Sequence, residues 1–140
     1  MSLKRVHLDA NVLLRFLRND DPKQSLLAAR LFDRAQAKKI EIILSPVIIL
    51  EVFYVLAGAY GLPRAQAAKI LSTVISAELV RCENVLVVAD ALRRITSQKT
   101  SFGDAYLAAS AVQAGDWVAS FDRHLSAFND VEVYDLNEKA

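Results

Sequence analysis

With cysteine at a single position, Cys82, the 140-residue chain can form no internal disulfide and no cysteine-based zinc cluster. A lone thiol reads as a buried apolar side chain and suits a reducing compartment. An excess of charge is missing too: 17 basic residues stand against 16 acidic ones, so no overall field steers the chain toward nucleic acid or membrane, and any polyanion contact must be local. The N-terminus has no apolar stretch followed by a small-residue cleavage site; export is not expected, and the cytoplasm is the expected location. Ile42 to Tyr60 runs 19 residues with Glu51 as its only charge, close to the length of a membrane span. Ser45-Pro46 breaks that run into strand, turn and helix. No internal repeat, low-complexity tract, linker, dinucleotide-binding glycine pattern, Walker A sequence or nucleophile elbow is present.

What is present is apolar content of 54%, enough for one substantial core and too short a chain for two ordinary domains, so residues 1–140 are expected to form one domain. Strand candidates are Leu3 to Leu8, Ile40 to Leu44, Val85 to Val88, Trp117 to Ala119 and Val131 to Tyr134. Helical patterns lie between them. One starts at Asp21-Pro22 as N-cap and first turn, with its stripe at Leu27, Ala28, Leu31, Phe32 and Ala35. Another runs from Pro46 to Ala59, apolar almost all round and so expected to be covered on both sides. Further helices carry Ala67, Ile70, Leu71, Val74 and Ile75, then Ala91, Leu92 and Ile95, and a last one spans Ser101 to Gln113. Strands alternating with helices imply an α/β fold, three layers around a mostly parallel sheet of four or five strands.

Ligands of open parallel sheets bind beyond the carboxyl ends of the strands. Asp9 directly follows the first strand, with Asn11 two residues on, and Asp122 follows the fourth in Ser120-Phe121-Asp122. Glu51 lies near the start of the helix leaving the second strand, and Asp104 in the first turn of its helix. Four acids from distant parts of the chain are thus expected at one edge. Glu51 stands among Ile48, Ile49, Leu50, Val52, Phe53 and Tyr54, where a lone carboxylate costs several kcal/mol unless paired or coordinated. A salt bridge to another helix is the plain alternative. Asp104 could equally answer the helix dipole and Asp122 could cap a short helix. Asp90 is read as the partner of Arg94 four residues on, and Glu41 and Asp130 as solvated.

Oxygen donors without His or Cys suit Mg²⁺ or Mn²⁺ rather than zinc, and such a site serves phosphoryl transfer. The segments Leu8-Asp9-Ala10-Asn11-Val12-Leu13-Leu14, Ser45-Pro46-Val47 through Glu51, Phe102-Gly103-Asp104-Ala105-Tyr106-Leu107-Ala108-Ala109 and Ser120-Phe121-Asp122 resemble the PIN-domain nucleases. The likeness is nearest to the stand-alone VapC toxins of bacterial and archaeal toxin-antitoxin pairs. It implies a Mg²⁺- or Mn²⁺-dependent endoribonuclease with Asp9, Glu51, Asp104 and Asp122 as catalytic and metal-holding acids, and Asn11 and Ser120 as supporting polar residues. Also implied are a homodimer and a small antitoxin whose C-terminal segment covers the site. The chain departs from relatives at His124, where they often carry a further acid, so one metal or two stays open. A haloacid-dehalogenase-like phosphatase would want an acid at position 11, and Asn11 cannot act as one. A receiver module, a housekeeping PIN ribonuclease and a non-catalytic PIN scaffold also compete with the toxin reading. Arg15, Arg18, Arg93, Arg94, Lys99 and Arg123 are candidate phosphate contacts.

Overall fold

A computed structural model describes residues 3–122, 125 and 127–137. His124 and Arg123 lie outside the described residues. The chain divides into two compact units, residues 1–85 and 86–140.

The first unit is built on three parallel strands, β1 (Lys4–His7), β2 (Ile40–Leu44) and β3 (Val80–Cys82), in the order β1-β2-β3. Parallel neighbours need long crossovers. Each is made by two helices: α1 (Ala10–Arg18) and α2 (Pro22–Gln36) join β1 to β2, while α3 (Pro46–Ala57) and α4 (Arg64–Ser76) join β2 to β3. Sequence chemistry sets the boundaries. Asp21 accepts a hydrogen bond from the Gln24 amide at 3.1 Å with Pro22 following, and Ser45 accepts one from the Val47 amide at 3.2 Å with Pro46 following. Both are N-caps with proline in the first turn, where its missing N–H costs nothing. The central strand is the most apolar, and Ile42, Ile43 and Leu44 are fully buried with Leu13, Ile49, Val52, Phe53, Leu56 and Leu71.

The second unit holds α5 (Val85–Ser97, its first residue at the boundary), α6 (Phe102–Ala114), β4 (Trp117–Val118) and β5 (Glu132–Val133). The last two strands pair in parallel. Gly115 ends α6 in the left-handed conformation, φ +73°, which a residue without a Cβ adopts without strain. Val118, Leu125 and Phe128 pack with Ala108 and Ala111 of α6 into one small core.

All the described strand pairs are parallel and alternate with helices, so the α/β reading holds; the pairs fall into a three-stranded and a two-stranded sheet, one in each unit. One strand lies elsewhere than its apolar run suggests. Val85 to Val88 is the start of α5, and the third strand is Val80–Cys82. A four-residue apolar run fits either structure. The continuation decides it, because Val88, Ala91, Leu92 and Ile95 form one buried helical stripe while Leu86 is exposed. The helix from Pro46 is likewise not covered all round: Val47 is 70% and Tyr54 46% exposed.

Candidate functional site

The carboxyl ends of β1 and β2 give way directly to helix caps. Asp9 occupies the N-cap position of α1 in extended conformation, yet its side chain bonds none of the free amides of the first turn. That leaves an exposed carboxylate at the sheet's carboxyl edge. Asn11, also exposed, lines a cleft of about 430 Å³ between α1 and α2 together with Val12, Arg15, Leu27 and Leu31. Glu51 falls in the second turn of α3, about 9 Å along the axis from the Ser45 cap. Its burial differs from the sequence reading. Residues 47, 51 and 54 share the open stripe of α3, whereas Ile49, Val52, Phe53 and Leu56 fill the buried one, so Glu51 is exposed to solvent. Apolar neighbours in sequence point to other sides of the helix, and no desolvation penalty attaches to this acid.

In the second unit, Asp104 is the third residue of α6 and half-buried. The Ser101 hydroxyl accepts a hydrogen bond from its amide at 3.0 Å, capping the helix and fixing the residue's backbone. Asp122 is exposed beyond β4, and the Ser120 hydroxyl accepts from its amide at 2.9 Å. Ser120 therefore shapes the turn that carries Asp122.

The acids sort by their partners. Asp20 pairs with Arg15 at 3.1 Å and accepts a short hydrogen bond from the Tyr60 hydroxyl, which holds its carboxyl below the usual range and raises the Tyr60 hydroxyl. Glu41 pairs with Arg81 at 2.8 Å and Arg5 at 3.9 Å across the sheet, so it is not simply solvated. Asp90 and Arg94 are both buried and meet at 3.3 Å, as their helical spacing predicts, and Arg93 joins Asp90. Asp130, also read as solvated, instead takes both Arg94 terminal nitrogens at 2.8 and 2.5 Å. That guanidinium holds the Asp130 carboxyl below the usual range, and Asp130 in turn raises Arg94. Asp9, Glu51 and Asp104 make no ion pair with any described residue, and neither do Asp33, Glu78, Glu83, Asp116 and Glu132. Arg94 and Arg15 are committed to these networks and are not open phosphate contacts, whereas Arg93, on the rim of the Asp90 pair, keeps an exposed side chain. Sequence offered no signal for the Arg94–Asp130 pair, whose members lie 36 residues apart.

Unit one thus supplies Asp9 and Glu51, and unit two Asp104 and Asp122. Within neither unit do three His, Cys, Asp or Glu side chains among the described residues stand close enough together to hold a metal ion. The donor chemistry fits one class of ion: all four are carboxylates, the preference of hard cations such as Mg²⁺ and Mn²⁺. No helix among the described residues is long and apolar enough to cross a membrane.

Parallel strands joined by helical crossovers, with acids at their carboxyl ends, define an α/β protein. The family model of the PIN domain matches residues 6–131, and the chain belongs to the PIN-domain family, most of whose members are metal-dependent nucleases. The match runs through both units and includes all four acids. No individual curated protein matches the chain.

Proposed function

We propose that this PIN domain is a divalent-metal-dependent endoribonuclease in which Asp9, Glu51, Asp104 and Asp122 together hold Mg²⁺ or Mn²⁺, with residues 1–140 acting as one functional domain. The observation that carries the reading is the PIN-family match over residues 6–131, which includes all four acids. In a chain with 17 basic and 16 acidic groups, Asp9, Glu51 and Asp104 also remain outside the ion pairs that engage Asp20, Glu41, Asp90 and Asp130. When bound, the metal supplies an acidified water and neutralises charge building on the phosphate. The chain's own part is to hold the carboxylates: Ser101 and Ser120 fix the backbone at Asp104 and Asp122, and Asn11 offers an amide beside Asp9. The expected outcome is cleavage of single-stranded or loop RNA that stops in EDTA and returns with Mg²⁺ or Mn²⁺. Products should carry 5′-phosphate and 3′-hydroxyl ends, because water and not the ribose 2′-hydroxyl attacks. Cyclic 2′,3′-phosphate ends, or full activity in excess chelator, would refute it.

Within that activity we assign the chain to the toxins of VapBC-type pairs, acting in the cytoplasm with a small cognate antitoxin and as a homodimer. Val47 and Tyr54, exposed on either side of Glu51 along α3, support a protein contact that reaches the proposed site. A small reading frame immediately upstream whose product co-purifies with this chain is the expected finding; a monomer by light scattering removes the dimer.

A further inference from the structure

The chain has six phenylalanines, and four of them, Phe32, Phe53, Phe102 and Phe128, are buried. Phe16, at the surface, still lies against Phe32 with ring centroids 3.9 Å apart. Phe121 differs from all of these, for it is 94% exposed. A ring held in water forfeits the burial that normally places phenylalanine in a core. The fold gains nothing from it there.

Its position gives the ring a use. Phe121 is the residue between Ser120 and Asp122, and the hydrogen bond from the Asp122 amide to the Ser120 hydroxyl closes a turn around it. The turn fixes the backbone that carries the ring, beside an acid of the proposed site. Trp117, which opens β4 four residues earlier, is 62% exposed. The core of a protein contact is a contiguous apolar patch depleted of charge. Trp117, Tyr134 and Leu136 of the same unit are exposed too, but the ring's own neighbours in sequence are a hydroxyl and a carboxylate. An unpaired nucleobase is a different kind of ligand: it offers a flat aromatic face, and single-stranded RNA is commonly held by stacking splayed bases on aromatic side chains. Such stacking tolerates any base, because each has a π-face.

Resting on the ribonuclease reading above, we propose that Phe121 is a stacking platform for an unpaired nucleobase next to the scissile phosphate. Asp122 would then help to hold the metal that neutralises the phosphate, while the ring of Phe121 holds the base of the same nucleotide.

The full chain, with Ca²⁺ in place of Mg²⁺, is titrated into fluorescein-labelled single-stranded oligoadenylate, and anisotropy is followed for wild type, Phe121→Leu and Phe121→Trp. Leucine keeps the apolar bulk and removes the π-face, so binding should weaken by about ten- to a hundredfold. Tryptophan should bind as tightly as wild type, with fluorescence of the added indole quenched by the oligonucleotide. Thermal unfolding should be the same for all three, since the ring is outside the core. If wild type cuts RNA while all three bind oligoadenylate alike, the stacking proposal falls and the nuclease reading stands. Equal losses in the leucine and tryptophan variants also overturn it, as does a leucine variant with intact RNA binding but altered mass by light scattering, which would make the ring a protein contact. A wild type that neither binds nor cuts any RNA removes the ribonuclease reading, and the platform with it.

Discussion

Replacing Glu51 with Gln changes one charge and almost no volume, and the structure fixes what should follow. Glu51 is exposed and in no ion pair with a described residue, so the change should alter stability in EDTA by no more than about 0.5 kcal/mol, the ordinary range for surface substitutions. The same limit applies to Asp9→Asn. Arg94→Met is the contrasting perturbation. It strands the buried Asp90 carboxylate, and breaking a buried pair typically costs about 3–5 kcal/mol; the lower end is expected because Arg93 still reaches Asp90. The response to metal should run the other way. An ion at about a hundredfold over its dissociation constant adds roughly 2.7 kcal/mol to the native state, about 10 °C in a chain this size. Wild type and Arg94→Met should both show that rise with Mn²⁺. Glu51→Gln should lose it, and lose cleavage by more than the roughly hundredfold seen on removing groups that merely support metal ligands. The assay is differential scanning calorimetry with EDTA and with Mn²⁺, paired with RNA cleavage. A Glu51→Gln protein strongly destabilised in EDTA, or one protected by Mn²⁺ as well as wild type is, refutes the reasoning.

Three further outcomes are expected. Asp130→Asn should cost about 1 kcal/mol at neutral pH, less than Arg94→Met, because Asp130 is half-exposed and water replaces part of what it loses. Its carboxyl is held below the usual range, so its contribution is complete above about pH 4 and disappears as pH falls further; urea unfolding across pH 2–6 should show a shallower acid limb in the variant. Burial, helped by Glu83, pushes the Cys82 thiol up to about 11, so between about pH 9 and 11 the unfolded chain ionises first and stability falls as pH rises, a slope that Cys82→Ala should remove. Asp9→Ser should gain up to about 1 kcal/mol in EDTA by supplying a cap to α1, while losing the Mn²⁺ response; calorimetry showing neither change would mean that Asp9 already serves the helix.

Local chemistry was legible in the sequence wherever a single residue decides the backbone. Pro22 and Pro46 marked two helix starts, the caps at Asp21 and Ser45 stand at the positions their residue types predict, and β2 has the expected bounds. The Asp90–Arg94 pair was legible for the same reason, since one helical turn brings its members together. Where the outcome depends on distant chain, sequence was silent. Val85 to Val88 is helical because the buried stripe continues through Ala91, Leu92 and Ile95 at helical spacing, and the third place in the sheet goes to Val80–Cys82. Glu51 looked buried because its sequence neighbours are apolar, but a helix sends them to different faces. The acids' positions after strands and at helix starts were visible. Their availability was not, as it depends on which arginine reaches which carboxylate.

Lack of an ion pair with a described residue is shared with Asp33, Glu78, Glu83 and Asp116, so what distinguishes Asp9 is its place at a helix start. Four residues hold comparable positions at helix N-termini: Asp9, Asp21, Ser45 and Ser101. Three of them bond a free amide of the first turn, an arrangement worth about 1 kcal/mol at each helix. Asp9 has the extended backbone of a cap and an acceptor of the preferred kind, yet forgoes the bond. Stability alone favours a side chain turned inward to the amides or paired with an arginine, as Asp21 and Asp90 are. On the proposed reading, an acid that does neither, at the carboxyl end of a parallel strand in a family most of whose members are metal-dependent nucleases, is free to meet a metal, and the cap it forgoes is what Asp9→Ser tests.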